Sequence, residues 1–325
     1  LAIDLGASNG RAILGKFDGE KIELEVLHKF SNQAERISGS QYWDIVKLFH
    51  EIKTGLQKAV SLDGINLDSI AVDSWAVDYG LIDKKGNLLT NPYFYRDNRT
   101  DGLIKEVTQI LGRDKIYNET GIQFQSFNTI YQLYADKEYR PWILKNAENL
   151  LLIPDLLNYF LTGEIANEYT NASSTQFFNP VEEEWSDLIF DKLNLPMDLM
   201  NDIIFPGNKI GNLTEEIKKE CNIKKDIPVM AVGSHDTASA VAATPLKDRD
   251  KSVYLSSGTG SLLGMELDQP FIEPEGLAKN FTNECGVGKK IRYLKNICGL
   301  WLIQESKKSW QKAGMDLSYD DIEKA

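Results

Sequence analysis

A strand, a turn of glycine and small polar residues, and a returning strand occur twice in this sequence, once near each end. Leu1-Ala2-Ile3-Asp4-Leu5 is followed by Gly6-Ala7-Ser8-Asn9-Gly10, and Arg11 to Phe17 then alternates apolar and polar residues. Asp18-Gly19 signals a second turn, and Ile22 to Leu27 alternates again, so the chain opens as an antiparallel meander. The second copy is Ser252 to Leu255, Ser256-Ser257-Gly258-Thr259-Gly260-Ser261, then Leu262 to Leu267. Glycine-lined turns of this kind leave N–H groups that can bind a phosphate, and Asp4 beside the first one is a natural magnesium ligand. An ordinary hairpin is the alternative for that first turn. One phosphate-sized turn in each half predicts a nucleotide clamped between two related domains.

A second stretch bears on chemistry. Ile227 to Val232 reads as a short buried strand, and Gly233-Ser234-His235-Asp236-Thr237-Ala238-Ser239-Ala240 follows it. A carboxylate at the C-terminal end of a buried strand stands where α/β sheets present their chemistry. Asp236 is therefore a candidate general base for a hydroxyl. The competing reading is that Ser234 and Asp236 only cap the next helix.

Between these landmarks, apolar residues at helical spacing from Trp43 to Val60 predict a helix packed on the meander. Ile70 to Ile82 reads as a strand interrupted by Asp73, Trp75 and Asp78. That pattern suits a sugar, with Trp75 and Tyr79 facing its C–H groups and carboxylates facing its hydroxyls, although both aromatics also fit a plain core. Residues 91–100 and 121–129 are polar-aromatic loops of functional character. Residues 101–111 predict a helix closed by Gly112, and Asn149 to Gly163 an apolar segment with Pro154 near a helix start. Residues 293–304 read as the start of a helix bearing amides toward a ligand. Residues 245–251, charged and turn-like, mark the boundary between domains at 1–244 and 245–325. Gly258-x-Gly260-x-x-x-Gly264 imitates a dinucleotide fingerprint, but a strand follows it; Gly286 to Lys290 imitates a P-loop but lacks its first glycine and its hydroxyl residue.

Composition excludes several classes. The net charge of −12, from 36 basic and 48 acidic residues, argues against nucleic acid, and it means that an anionic ligand needs local help from arginine, backbone N–H groups or a metal. Three widely spaced cysteines suggest neither a disulfide framework nor a zinc site, and three histidines make a histidine metal cluster a poor expectation. No apolar run is long enough to span a bilayer, and Leu1 to Asp4 reads as a strand rather than a leader. A cytoplasmic protein, monomeric or weakly dimeric, is expected, with a residue or two preceding Leu1.

The motifs together resemble those of the FGGY carbohydrate kinases, within the actin-like, ribonuclease H-like superfamily, and among them the rhamnulokinase group. They are Asp4-Leu5-Gly6-Ala7-Ser8-Asn9-Gly10-Arg11, Asp73-Ser74-Trp75-Ala76-Val77-Asp78, Tyr95-Arg96-Asp97-Asn98-Arg99-Thr100, Ile122-Gln123-Phe124, Phe127-Asn128-Thr129, Tyr169-Thr170-Asn171-Ala172, Ser234 to Ala240, Ser256-Ser257-Gly258-Thr259 and Leu294-Lys295-Asn296-Ile297-x-Gly299-Leu300-Trp301. The resemblance covers the whole length. It implies an α/β, actin-like ATPase fold of two related domains with a cleft between them. It also implies ATP and Mg2+, and transfer of the γ-phosphoryl group to the primary hydroxyl of L-rhamnulose. By position, Ala7, Ser8, Asn9, Gly10 and Arg11 would form the first phosphate turn and Asp4 would hold magnesium, directly or through water. Gly258 and Thr259 would lie in the second turn, with Asn296 and Gln304 near the adenosine. Trp75, Ala76, Asp78, His235, Asp236 and Thr237 would surround the ketose, with Asp236 as the base.

The sequence departs from the family pattern at Gly260, usually a large residue, at Cys285, usually Gly in the rhamnulokinase group, and at Ala76, commonly Gly. Family members also continue beyond this length, so the second domain is expected to be truncated. L-fuculose or L-xylulose as the sugar, and a non-catalytic binding module, are the alternatives carried forward.

Overall fold

The computed structural model describes residues 1–258 and 260–324. The opening meander forms as expected: Ala2–Leu5, Asn9–Phe17 and Ile22–Ser31 pair antiparallel in chain order. A fourth strand, Ala71–Ser74, joins parallel to the first, on the side away from the meander. A parallel neighbour needs a crossover, and the helix Ile45–Val60 lies within it. Ile45, Leu48, Ile52 and Leu56 of that helix are buried at helical spacing, with Ile3, Leu5, Ala12 and Leu14 of the sheet in the same core. Asp44 caps the helix by accepting from the Lys47 N–H at 3.0 Å. Gly10 is required by crowding, since a Cβ there would run into the Phe30 ring and come within 2.9 Å of Leu5.

The segment 70–82 is two strands rather than one. Ala71–Ser74 stops, residues 75–78 kink, and Tyr79–Ile82 pairs antiparallel with Asn149–Leu152. The helix Ile153–Thr162 then starts directly, with Pro154 in its first turn and Gly163 closing it at φ 76°. Leu103–Leu111 forms the expected helix. The buried strand expected over 227–232 is confined to Pro228–Met230, which pairs with Lys209–Asn212. From there the chain runs on beside Ala71–Ser74 and forms a parallel bridge between Ser74 and His235.

A second four-stranded sheet has the order Tyr254–Ser257, Gly260–Leu267, Ile291–Cys298, Thr282–Cys285, all antiparallel. The hairpin expected near residue 260 is therefore present, and the segment after Gly260 is strand, which removes the dinucleotide imitation. The helix expected from residue 293 is corrected. Residues 293–298 are the end of a central strand, paired on one side with Gly260–Leu267 along its whole length, and the helix is Trp301–Lys312. Short apolar runs do not distinguish strand from helix by composition, and here pairing decided.

The second sheet is seated on the first half. The edge strand Thr282–Cys285 is wholly buried, its Cys285 N–H donating to Ser173 Oγ at 2.8 Å and its Asn283 N–H to the Gly121 carbonyl at 2.9 Å. Tyr169, Ala172 and Phe178 share one apolar cluster with Cys285 and Ile291. Cys221, Cys285 and Cys298 are unpaired thiols. Among the described residues no helix is long and apolar enough to cross a membrane.

Candidate active site

Strand register brings three carboxylates to one end of the first sheet. Asp4 lies opposite Asp73 in the parallel pairing of the first and fourth strands. The Ser74–His235 bridge places Asp236 one residue beyond the next parallel segment. Burial and then the nearby charges of Asp4 and Asp236 push the Asp73 carboxyl well above its ordinary range, with Arg11 opposing them. Asp236 is also raised, mainly by desolvation; the charge His235 carries when its ring is protonated and the Thr237 hydrogen bonds oppose the rise, and Asp4 adds to it. Asp4 forms an ion pair with Arg11, its partner in the first hairpin. Asp73 was not singled out among the site residues, because its proximity to Asp4 depends on a parallel pairing between segments far apart in sequence.

The Asp236 loop is held from below by a buried glutamate. Oε2 of Glu168 accepts from the Ser234 N–H at 3.1 Å and from the Ser234 hydroxyl at 2.7 Å. It also accepts from the Thr170 hydroxyl at 2.6 Å and the Asn171 N–H at 3.2 Å. Thr170 Oγ1 in turn accepts from the His235 N–H at 3.3 Å. Gly233 is needed where the loop passes close to its own helix and to Val287, whose Cγ2 would lie 2.9 Å from an added Cβ.

The geometry takes Ser234 out of the capping alternative but leaves Asp236 in the first turn of the helix, where its carboxylate accepts from Thr237. The N-cap of the helix Asp236–Ala243 is His235, which makes no side-chain capping bond, and the Ser234 hydroxyl is spent on Glu168. Asp236 accepts from the Thr237 hydroxyl at 3.0 Å and keeps 37% of its side chain exposed. The helix it heads packs against Ala71–Ser74 of the first sheet and against Tyr254–Ser257 and the 287–289 turn of the second part. Asp236 is thus part-exposed, on the element between the two sheets, with enough protein around it to desolvate its carboxyl.

Glu168 is a residue that sequence reasoning did not assign, since its partner Ser234 lies 66 residues away in the chain. Glu168→Gln replaces an acceptor oxygen by an N–H2 group that faces donors. Urea denaturation should show a loss of about 1–3 kcal/mol; unchanged stability would remove Glu168 as the support of the loop.

The kink at 75–78 holds backbone strain. Val77 has φ 71°, a region that β-branched residues avoid. It is held there by the Thr129 hydroxyl, 2.8 Å from its carbonyl, and by Gln132 Nε2 at 3.3 Å. Strain of this sort collects at functional sites. Ala76 is half-buried at the kink. Trp75 is only 6% exposed and packs on Trp43, with ring centroids 4.1 Å apart. Asp78 has no exposed surface. Its carboxylate accepts from Trp43 Nε1 (2.6 Å), Trp75 Nε1 (3.0 Å), the Tyr95 N–H (3.1 Å) and Gln132 Nε2 (2.8 Å). Burial raises it to about 7 against those hydrogen bonds. The structure therefore places Asp78 behind Trp75, where it orients the indole and offers no surface to a ligand. Tyr79 donates to Asp136 at 2.6 Å inside the second apolar core, so it is the core aromatic of the two readings.

The residues assigned to phosphate and adenosine fall into two groups. Ala7, Ser8, Asn9, Gly10 and Arg11 form the first turn and the start of the second strand; Ser8, Asn9 and Arg11 are exposed. The Gly6 N–H donates to the Asn9 carbonyl at 2.9 Å, and Asn32 braces the turn from its N–H to Ser8 and from its side chain to Gly6. Gly258 and Gln304 are joined through Leu300 at a corner of the second sheet: the Leu300 N–H donates to the Gly258 carbonyl at 2.9 Å, and the Gln304 N–H to the Leu300 carbonyl at 3.0 Å. Asn296 is on the strand Ile291–Cys298 and Gln304 on the helix Trp301–Lys312. Thr259 lies outside the described residues.

Among the described residues no group of three or more His, Cys, Asp or Glu side chains forms a metal cage. Magnesium takes one or two carboxylates and completes its shell with phosphate oxygens and water, and the register pair Asp4 and Asp73 would be its oxygen donors here.

Comparison with known proteins gives the same assignment. Residues 1–242 match the N-terminal domain, and residues 253–325 the C-terminal domain, of the FGGY family of carbohydrate kinases. The rhamnulokinase of Pectobacterium atrosepticum is 48% identical over 306 residues, covering 94% of this chain and 60% of that protein. The rhamnulokinase of Halalkalibacterium halodurans is 45% identical over 310 residues, covering 95% and 65%. The chain thus spans less than two thirds of the length of these relatives. Among solved structures, a ligand-bound xylulose kinase from Lactobacillus acidophilus superimposes with a TM-score of 0.83 at 19% identity, over 99% of this chain and 64% of that one. A Plasmodium falciparum glycerol kinase with ADP gives 0.80 at 14% identity, over 98% and 64%. These likenesses show the fold, the α/β actin-like one expected from the motifs.

Proposed function

This chain belongs to the FGGY family of carbohydrate kinases, and from that membership we propose that it carries the sugar site and the phosphate-binding turns of an ATP-dependent L-rhamnulose kinase. The reaction is transfer of the γ-phosphoryl group to the primary hydroxyl, giving the 1-phosphate. The observation that supports it most is the position of Asp236: part-exposed at the head of the helix between the two sheets, within the electrostatic reach of Asp4.

Phosphoryl transfer asks for alignment and charge neutralisation more than for covalent chemistry. Asp236 accepts the hydroxyl proton as the oxygen attacks, and the upward direction of its shift makes it a stronger base than an ordinary carboxylate. Ala76 at the kink, and His235 and Thr237 on either side of Asp236, would orient the ketose, and Trp75, held by Asp78, would form its wall. The N–H groups of the turn at 7–10 and the Arg11 guanidinium would supply local positive potential to the phosphates in a chain of net charge −12. Asp4 would hold a magnesium ion, which would supply charge neutralisation at the phosphate oxygens.

Side-by-side turnover of L-rhamnulose, L-fuculose and L-xylulose with ATP tests the reading. L-Rhamnulose should have the highest kcat/KM, by at least about tenfold, as expected where buried polar groups read a hydroxyl pattern. A higher value for either other ketose would reassign the substrate, and no turnover of any would leave a binding module.

A further inference from the structure

Two charged side chains of the second sheet reach the sugar-side loop from behind. Glu284 and Arg292 face each other across adjacent strands. Arg292 has no exposed surface and Glu284 almost none. Burying two ions costs several kcal/mol each unless pairing and hydrogen bonds compensate. Here the pair is turned on a histidine. Arg292 Nη2 lies 3.0 Å from Nδ1 of His235 and 3.2 Å from Oε2 of Glu284, and Nε donates to the Cys285 carbonyl at 3.2 Å. The same glutamate oxygen is 3.3 Å from His235 Nδ1.

A guanidinium can only donate. A proton on Nδ1 would set two donors against each other at 3.0 Å, so Nδ1 accepts from Arg292. The proton of the neutral ring is then on Nε2, 3.8 Å from Oδ1 of Asp236.

We propose that Arg292 and Glu284 are positioning residues that hold His235 as the neutral Nε2–H tautomer, so that the ring donates to a substrate oxygen beside Asp236 and is barred from acting as the base itself. Neither residue touches the substrate. Arg292 acts through Nδ1, and the Glu284 carboxylate, 3.2 Å from Nη2, balances the guanidinium charge. The substrate part rests on the kinase reading above, but the tautomer does not.

The experiment is nitrogen-15 NMR of the histidine rings in the nucleotide-free protein, with His235 assigned by its loss in His235→Gln; only His28 and His50 must be distinguished from it. The wild type should show His235 at neutral pH with the proton on Nε2 alone. Arg292→Lys should keep that pattern. Arg292→Met should move population to the Nδ1–H form, which then donates to Glu284, and should weaken L-rhamnulose binding about tenfold by calorimetry, the loss of one well-placed hydrogen bond. Should Arg292→Met fail to fold, the double variant Arg292→Met/Glu284→Gln leaves no unpaired buried charge and should show a mixture of tautomers. A wild-type ring protonated on Nδ1, or a tautomer unchanged in the variants, would overturn the proposal. Absent ketose binding by the wild type would instead count against the kinase reading and leave the tautomer result standing.

Discussion

Asp236→Asn should lower kcat by about 10²–10⁴-fold, the range of a positioned general base, with L-rhamnulose affinity within a few-fold of wild type. The two side chains have nearly the same shape, and the Thr237 hydroxyl bond to Oδ1 survives the change, so binding geometry is kept while the proton acceptor is lost. The pH profile gives an independent check. The base works only when ionised, and desolvation raises Asp236 above the ordinary carboxylate value, so the acid limb of kcat/KM should fall at a pH above about 3.9. The sign for stability is the opposite of the sign for activity. A carboxyl raised in the folded state contributes stability that is present below its unfolded value and lost as pH rises through its folded one. At neutral pH the ionised Asp236 is therefore a burden, and Asp236→Asn should unfold at the same temperature as wild type or higher. A variant that keeps a tenth or more of wild-type turnover would remove Asp236 from the chemistry.

What the sequence made legible follows from range. The meander and the helix Ile45–Val60 are set by alternation and by helical spacing, which are local, and both formed where expected. Asp236 was legible because a strand, a glycine and a carboxylate stand together in the chain. Asp73 beside Asp4, Glu168 beneath Ser234, and Arg292 behind His235 are separated by roughly 60 residues or more, and only tertiary pairing brings them together. The loop at 91–100 shows a different limit. Its tyrosines, arginines and aspartate looked like a surface prepared for a ligand, yet Tyr93, Asp97 and Thr100 are buried and Arg99 turns inward to Asp136. Composition does not say which way a polar side chain faces: a buried network and a binding site both need donors matched to acceptors.

That inward network carries the largest expected effect on stability. Asp136 is 1% exposed and accepts from Arg99 Nη1 at 2.5 Å, from Arg140 Nη2 at 2.6 Å, and from the Tyr79 hydroxyl at 2.6 Å. Asp136→Ala would leave two largely buried guanidinium groups beside an orphaned tyrosine hydroxyl. Removing one partner of such a cluster costs about 3–5 kcal/mol, which corresponds to roughly 10 °C in unfolding temperature for a chain of this size. Asp136→Asn keeps an oxygen for the arginines and an amide for Tyr79, so its loss should be smaller. The cation–π contacts of Arg99 and Arg140 with the Tyr93 ring, at 4.0 and 4.4 Å, do not compensate, because they neutralise no charge. The effect should also reach the sugar. Arg99 Nη2 donates to Gln132 Oε1 at 2.9 Å, Gln132 donates to Asp78 at 2.8 Å, and Asp78 holds the Trp75 indole. A freed Arg99 loosens that chain, so KM for L-rhamnulose should rise in Asp136→Ala more than kcat falls, measured well below the variant's unfolding temperature. A stability loss under about 1 kcal/mol, the worth of an exposed ion pair, would mean that water reaches the cluster and that it does not hold the wall of the site.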